Sequence, residues 1–430
     1  MTQGNDPGVG EPKETAKPWM GEGMKGTAGQ IRGYLKQMGP AWVIAADASG
    51  PATLASLCIA GATYSYSLLW VVMLSVLFGA TAQYLAARIG IIEGRGIITT
   101  VEDRLGPVWG WIVAVDALLV TWLAALVLMN ALVSVTSLMT GIESPLWSIP
   151  FALLIAMILI RGGYRWFEVM CKVLIVFILG CFVITIGMVD LSWPDIGRGL
   201  IPDIPGGMES ALMMAAIMGG AVHITIIGLH TYNTNAKGWT RKDLGLARFD
   251  NALSMGLAFG LYSIIIFFVA AAVLHPHNIT VRTATDAALS LEPLLGRGAK
   301  IIFLLGIWGA AFSTLSPTML AAAYFFADKM KWPLYRKDRR FIGTAIAGAV
   351  IVSFGPFLKG GFFLLLPLML ALGLCGTPLI IGIILYLLNR SDVAGADKNS
   401  PVLNILGVIT LLVTTFLAMR FILVKAGLLG

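Results

Sequence analysis

Asp47, Ser49 and Thr53 lie inside an otherwise apolar segment, GPAWVIAADASGPATLASLCIAGATYSYSLLWV, that runs from Gly39 to Val71. A carboxylate with hydroxyls at this spacing is the chemistry of a cation site. A bilayer-spanning helix needs about 20 apolar residues in one run, and this run is interrupted at Gly50 and Pro51. Proline lacks a backbone donor and clashes with the preceding turn, so the helix is expected to unwind there. Backbone freed in this way is tolerated at membrane depth only where it lines a buried cavity, as in a transporter binding site.

A second polar interruption sits in MESALMMAAIMGGAVHITIIGLHTYNTNAKG, where Gly219 and Gly220 precede His223 and Thr225, with His230 further on. Glycine weakens a helix, so unwinding is expected about this glycine pair.

The elements that must position these residues are membrane spans. The chain has 430 residues, 57% of them hydrophobic and 12% charged, with a mean hydropathy of +0.84. That composition excludes a soluble domain. Apolar stretches fall at about 38–60, 66–90, 107–138, 146–161, 167–190, 208–232, 250–274, 298–327, 341–357, 361–389 and 402–425, giving eleven expected spans. The second break lies five spans after the first, the arrangement of two inverted repeats around a midplane site. The expected organisation is a disordered tail over 1–38, a core over 39–390 with repeats at about 39–190 and 208–390, and an additional helix in 391–430.

The tail and every second loop carry 23 of the 30 Lys and Arg residues. The positive-inside rule therefore puts the N-terminus in the cytoplasm and, with an odd span count, the C-terminus outside. The basic residues need no nucleic-acid partner, and the bilayer is the partner that composition implies. No apolar stretch precedes residue 40, so no cleavable signal is expected. Cys58, Cys171, Cys181 and Cys375 sit in or beside apolar spans without metal-ligand spacing and read as small buried side chains.

The stretch Gly61-Ala-Thr-Tyr-Ser-Tyr-Ser-Leu-Leu-Trp-Val71, with Gln83-Tyr-Leu-Ala-Ala-Arg-Ile-Gly-Ile91 and Gly94-Arg95, resembles helices 1 and 2 of the Nramp divalent-metal transporters. Leu229-His230-Thr231 is similar to that family's Leu-His-Ser, and Arg248-Phe249-Asp250 and Arg339-Arg340 match in place. The resemblance covers roughly residues 38–390. It implies an all-α polytopic membrane protein with the leucine-transporter-type fold, whose unwound helices 1 and 6 meet at the substrate.

The departures from the family are informative. Its helix 1 motif Asp-Pro-Gly-Asn falls on Gly50, Pro51, Ala52 and Thr53, and its helix 6 Ala-x-x-Met falls on Gly220 to His223. The family's helix 3 acidic pair lands on Leu123 and Leu126, with an earlier acid kept as Asp116. The histidine after the helix 6 methionine becomes Thr225, and the helix 10 glutamine falls near Leu370. With no carboxylate at the matched position, a bound divalent cation would be left uncompensated. Half-helix N-termini favour anions, so a small anion such as bicarbonate is the first expected substrate, at Gly50, Pro51, Ala52, Thr53, Gly220, His223 and Thr225. Nitrate, formate and acetate suit the same inventory.

Uphill anion uptake needs a cation, and Asp47 with Ser49 is the expected Na⁺ site, with Ser313 and Thr314 as further candidates. Asp116 and His230 are expected along the pathway, where they would serve a rival proton coupling. The alternative substrate is a largely hydrated Mg²⁺ or Mn²⁺, whose waters carry part of the charge. No phosphate loop, HExxH or nucleophile elbow occurs in a usable context, so neither an enzyme nor a cofactor is expected. A transporter-derived sensor would carry a large output domain, and this chain stops soon after its last span. Asp47, inside a span, is costly to bury without a purpose. Thr53 and Thr225 have a structural alternative, since membrane threonines commonly bond their own preceding carbonyls.

Overall fold

The computed structural model describes residues 33–35, 37–161, 180, 183–292, 296, 299–334 and 338–429. Most of the expected tail, most of the expected span 167–190, and Cys171 and Cys181 fall outside the described residues. Residues 1–37 form one unit and residues 38–430 a second; the architecture below is that of the second.

It is built from helices. The first span comprises α1 (Pro40–Ala48) and α2 (Pro51–Tyr64). Next come α3 (Leu69–Glu93), the short amphipathic α4 (Ile97–Leu105) and α5 (Pro107–Thr140). They are followed by α6 (Ser148–Arg161) and the short α7 (Trp193–Gly199). The sixth expected span is α8 (Met208–Val222) with α9 (Ile224–Ala236). The next is α10 (Leu244–Asn251), a π-helical segment (Ala252–Phe259) and α11 (Gly260–Val273). The remainder are α12 (Ala284–Ala288), α13 (Ala299–Lys329), α14 (Arg339–Val352), α15 (Phe362–Asn389), α16 (Ser391–Ala394) and α17 (Pro401–Lys425).

Among the described residues, eight helices are long and apolar enough to cross a membrane, and nine if the bent pair α1–α2 counts as one span. α6 is apolar but shorter. The expected eleven spans thus rest partly on residues that lie outside the description.

The core is the contact zone of the broken spans with their neighbours. α8 packs against α3 and α15, α9 against α3, α2 against α11, and α5 along α13. The α8–α9 span is 94% buried over its most apolar window, whereas α17 is 28% buried and turns most of its surface outward. A helix apolar on every side belongs in the interior of such a bundle, and this central pair is the one that carries His223.

Both interruptions are real breaks. The first opens at Ser49 and Gly50, and α2 leaves α1 at an angle of 46°. Pro51 occupies the first position of α2, where its missing N–H costs nothing. Asp250 caps the start of α1, its two carboxylate oxygens accepting from the N–H groups of Gly39 (3.0 Å) and Ala41 (2.9 Å).

The second break falls later than expected. Gly219 and Gly220 stay helical inside α8, and His223 alone is extended, at φ −67° and ψ 155°. The glycines serve close approach instead. A Cβ at Gly219 would collide with the Leu370 carbonyl oxygen, and one at Gly220 would stand 2.6 Å from Thr53 Oγ1.

Candidate functional site

The two breaks face each other across a small cavity. Asp47, Gly50, Pro51, Ala52 and Thr53 form its wall from the first span, and Gly220 and His223 from the sixth. Thr314 and Thr318 of α13, Met369 and Leu370 of α15, and Ala124 and Leu128 of α5 complete it. The space open to the centre of a water-sized sphere is about 10 Å³, roughly the need of one water molecule.

Each polar group on the wall has a local reason for its orientation. Thr53 donates its hydroxyl proton to Ala48 O at 2.6 Å, so it satisfies a carbonyl beside the break. Its oxygen then rests against Gly220, where only a residue without Cβ allows the two breaks to approach this closely. Gly50 does the same for α13: a Cβ there would lie 2.6 Å from Thr314 Oγ1.

Asp47 is 6% exposed. Its Oδ1 accepts from the Thr318 hydroxyl at 3.3 Å, but that proton also reaches Thr314 O at 2.8 Å. The backbone bond is the shorter one, so the carboxylate is under-satisfied. Asp47 Oδ2, His223 Nδ1 and Thr314 Oγ1 are buried without a hydrogen-bond partner. Buried polar atoms are rarely left so, and three on residues around one cavity make a candidate set of ligands. Among the described residues, no Lys or Arg lines the cavity. Among the described residues, no three His, Cys, Asp or Glu side chains converge on a common point.

The structure divides the residues singled out in the sequence. Gly50, Pro51, Ala52, Thr53, Gly220 and His223 line one cavity. Thr225 does not: its hydroxyl pairs with Thr121 Oγ1 at 2.8 Å, away from the cavity. Asp47 and Thr314, expected as coupling-ion ligands, line the same cavity as the substrate residues. Ser49 and Ser313 are off that wall. Ser313 donates to Ala310 O at 3.0 Å, and the Ser49 hydroxyl is buried without a partner.

His230 is turned toward Gln83, its Nδ1 lying 3.3 Å from Gln83 Oε1, while Gln83 Nε2 donates to Ala221 O. Asp116 is half-buried with one unpartnered oxygen and faces Gly376 of α15, outside the cavity. The matched position, Gly50, has no carboxylate, and helix 1 brings one to the same cavity from Asp47, three residues before it. Thr318, Met369, Ala124 and Leu128 were not anticipated. Thr318 had a signal, lying one turn beyond Thr314 in the polar patch around Pro317. Cys58 and Cys375 are free thiols.

Comparison with known proteins gives the same picture at the level of the whole chain. The family model described as natural resistance-associated macrophage protein-like (Nramp) matches residues 41–424. The divalent metal cation transporter MntH of Yersinia pestis is 28% identical over 335 residues, which are 75% of this chain and 79% of that one. MntH of Deinococcus radiodurans is 28% identical over 355 residues, 78% and 79% of the two chains.

Among solved structures, the Eremococcus coleocola manganese transporter superimposes with a TM-score of 0.74 at 16% identity, covering 94% of this chain and 88% of its own. Mhp1, a nucleobase-cation-symport-1 family transporter, gives 0.59 at 18% identity, with coverage of 92% and 95%. These two likenesses establish the leucine-transporter-type fold. With the family model spanning nearly all of the membrane-embedded sequence, the chain belongs to the Nramp family and is a multi-pass membrane transporter.

Proposed function

We propose that this protein carries a divalent metal cation, Mn²⁺ or Mg²⁺, by alternating access through the cavity between the two breaks. The observation that carries this reading is a set of three candidate ligand atoms, Asp47 Oδ2, His223 Nδ1 and Thr314 Oγ1, all buried and unpartnered on residues that line one cavity. Carboxylate and hydroxyl oxygens suit Mg²⁺ and Mn²⁺, and an imidazole nitrogen favours the transition metal. The α1 and α8 half-helices end at the cavity, and helix C-termini favour positive charge. One carboxylate and no convergent acidic cluster make a weak site, as a carrier that must release its cargo requires. The names of the MntH relatives support the same substrate class.

A small anion such as bicarbonate moved with Na⁺ is the second reading, favoured by one observation. The α2 and α9 half-helices begin at the cavity without side-chain caps, and their free N–H groups attract anions. Against it stands Asp47. Two like charges 4 Å apart at an effective dielectric constant of 20 repel by about 4 kcal/mol. An anion would need Na⁺ on Asp47 to cancel that repulsion. In either reading the protein sits in a bacterial inner membrane. The distribution of Lys and Arg favours a cytoplasmic N-terminus and puts α4 on the cytoplasmic side.

Proteoliposome uptake decides between the readings. Mn²⁺, Mg²⁺ and ¹⁴C-bicarbonate are compared, each with and without a Na⁺ gradient. Metal uptake indifferent to Na⁺ supports the cation reading. Na⁺-driven bicarbonate uptake without metal flux overturns it.

A further inference from the structure

Asp328, at the α4 end of α13, is 6% exposed and lies far from the cavity. Its carboxylate gathers donors from two other elements. Oδ2 accepts from the Ile98 and Thr99 N–H groups at the start of α4, both at 3.2 Å, and Oδ1 accepts from the Thr99 hydroxyl. Oδ2 also accepts from Tyr232 Oη of α9 at 2.7 Å. A carboxylate at a helix start satisfies N–H groups that no intrahelical acceptor can reach, and here it comes from a distant helix.

Gly96 makes the approach possible, since a Cβ there would collide with both the Tyr232 ring and the Asp328 carboxylate. The neighbouring Lys329 pairs with Glu102 of α4 and lies over the Trp111 ring of α5. Tyr232 lies in the half of α9 away from His223, which caps the start of that helix. Whatever holds Tyr232 therefore constrains the angle at which His223 meets the cavity.

We propose that Asp328 is a positioning residue for transport: it bolts α4 to the far half of α9, and the bolt opens whenever the cavity empties toward that side. This inference rests on the alternating-access reading but on no particular substrate. Its test uses none, so a failed substrate assignment and a failed bolt are distinguishable.

The experiment uses the full chain with its four native cysteines replaced by alanine. Two reporters are introduced separately. I97C lies in the seam under α4, where Ile97 is 1% exposed. S134C lies in the wide depression at the opposite end of α5, beside Asn130 and Ser137. Labelling by a small membrane-permeant maleimide is timed in D328N, and in G96A, which forces the seam apart and leaves the carboxylate in place.

The expected result in both variants is labelling of I97C at least tenfold faster together with slower labelling of S134C, the signature of a shifted two-state equilibrium. Faster labelling at both reporters would mean general loosening, and unchanged labelling at I97C would mean no bolt; either overturns the proposal. Y232F, which removes one of the four donors, is expected to shift the two reporters in the same opposite directions by a smaller factor.

Discussion

The two breaks that meet at the cavity are built differently. In the first span the chain leaves helical geometry at Ser49 and Gly50, and the axis turns by 46°. In the sixth only His223 is extended. Its N–H still reaches Gly219 O at 3.0 Å, and its carbonyl still accepts from Ile227 at 3.2 Å, so Met208–Ala236 continues as one span. The number of residues that leave the helix accounts for the contrast. Ser49 and Gly50 both leave helical geometry, with Gly50 extended at ψ 179°, whereas a single extended residue interrupts a helix without redirecting it. The bent break brings the charge, through Asp47, and the straight one brings a neutral nitrogen, through His223.

If that division of labour is correct, substitutions at the two breaks should differ in kind. Asp47→Asn carries the largest expected effect. Removing one partner of a buried charge pair costs about 3–5 kcal/mol, so Mn²⁺ uptake into proteoliposomes should fall by at least about 100-fold. His223→Ala should lower Mn²⁺ uptake by about tenfold and Mg²⁺ uptake less, because imidazole discriminates in favour of transition metals. Equal losses for the two ions would remove the ligand role of His223.

Stability should distinguish the paired glycines. Gly219→Ala drives a Cβ into the Leu370 backbone carbonyl, and overpacking of this kind costs about 1–3 kcal/mol. Gly220→Ala meets the Thr53 hydroxyl instead, a side chain that can yield by giving up its bond to Ala48 O where a backbone carbonyl cannot move, so its thermal midpoint should fall less. Pro51→Ala should cost under about 1 kcal/mol and leave the bend in place, since Gly50 is already extended at ψ 179°. A larger loss in thermal unfolding would mean that the proline itself maintains the break.

The smallest effect concerns neither break and serves as a control. Hydrogen bonds from Lys329 and Lys331 hold the Glu102 carboxyl below the usual glutamate range. A depressed carboxylate stabilises above its unfolded value and loses that contribution as pH falls through the folded one. The contribution of Glu102 to thermal stability, read as the difference in thermal midpoint between the protein and E102Q, should therefore be constant at neutral pH and be lost only below about pH 4.3.

Much of this was legible in the residues. Gly50-Pro51 inside an apolar run marks a break with little ambiguity, and an intramembrane Asp47 is a candidate for function because hydrocarbon makes it costly. What could not be read was direction. The i, i+3 spacing of Asp47 and Gly50 put both on one face, but the 46° bend turns that face into the same cavity as Thr53, and no local pattern encodes a bend angle. Gly219 and Gly220 looked like breakers because glycine weakens helices; their use for contact depends on Leu370 and Thr53, far away in sequence. Thr318, Met369 and Leu128 arrive from three other helices whose apolar periodicity says nothing about a shared wall.

The π-helical stretch Ala252–Phe259 has a consequence for how the bundle keeps its phase. One residue advances an α-helix by about 100°, and a π-bulge accommodates one residue more than its surroundings. Upstream of it, Asp250 must aim at the start of α1; downstream, Gly260 must face Val76 of α3. The wide turn acts as a wedge that lets one continuous rod satisfy both azimuths. Excising a single residue there would leave every helix intact while rotating one anchor about a third of a turn away from its partner.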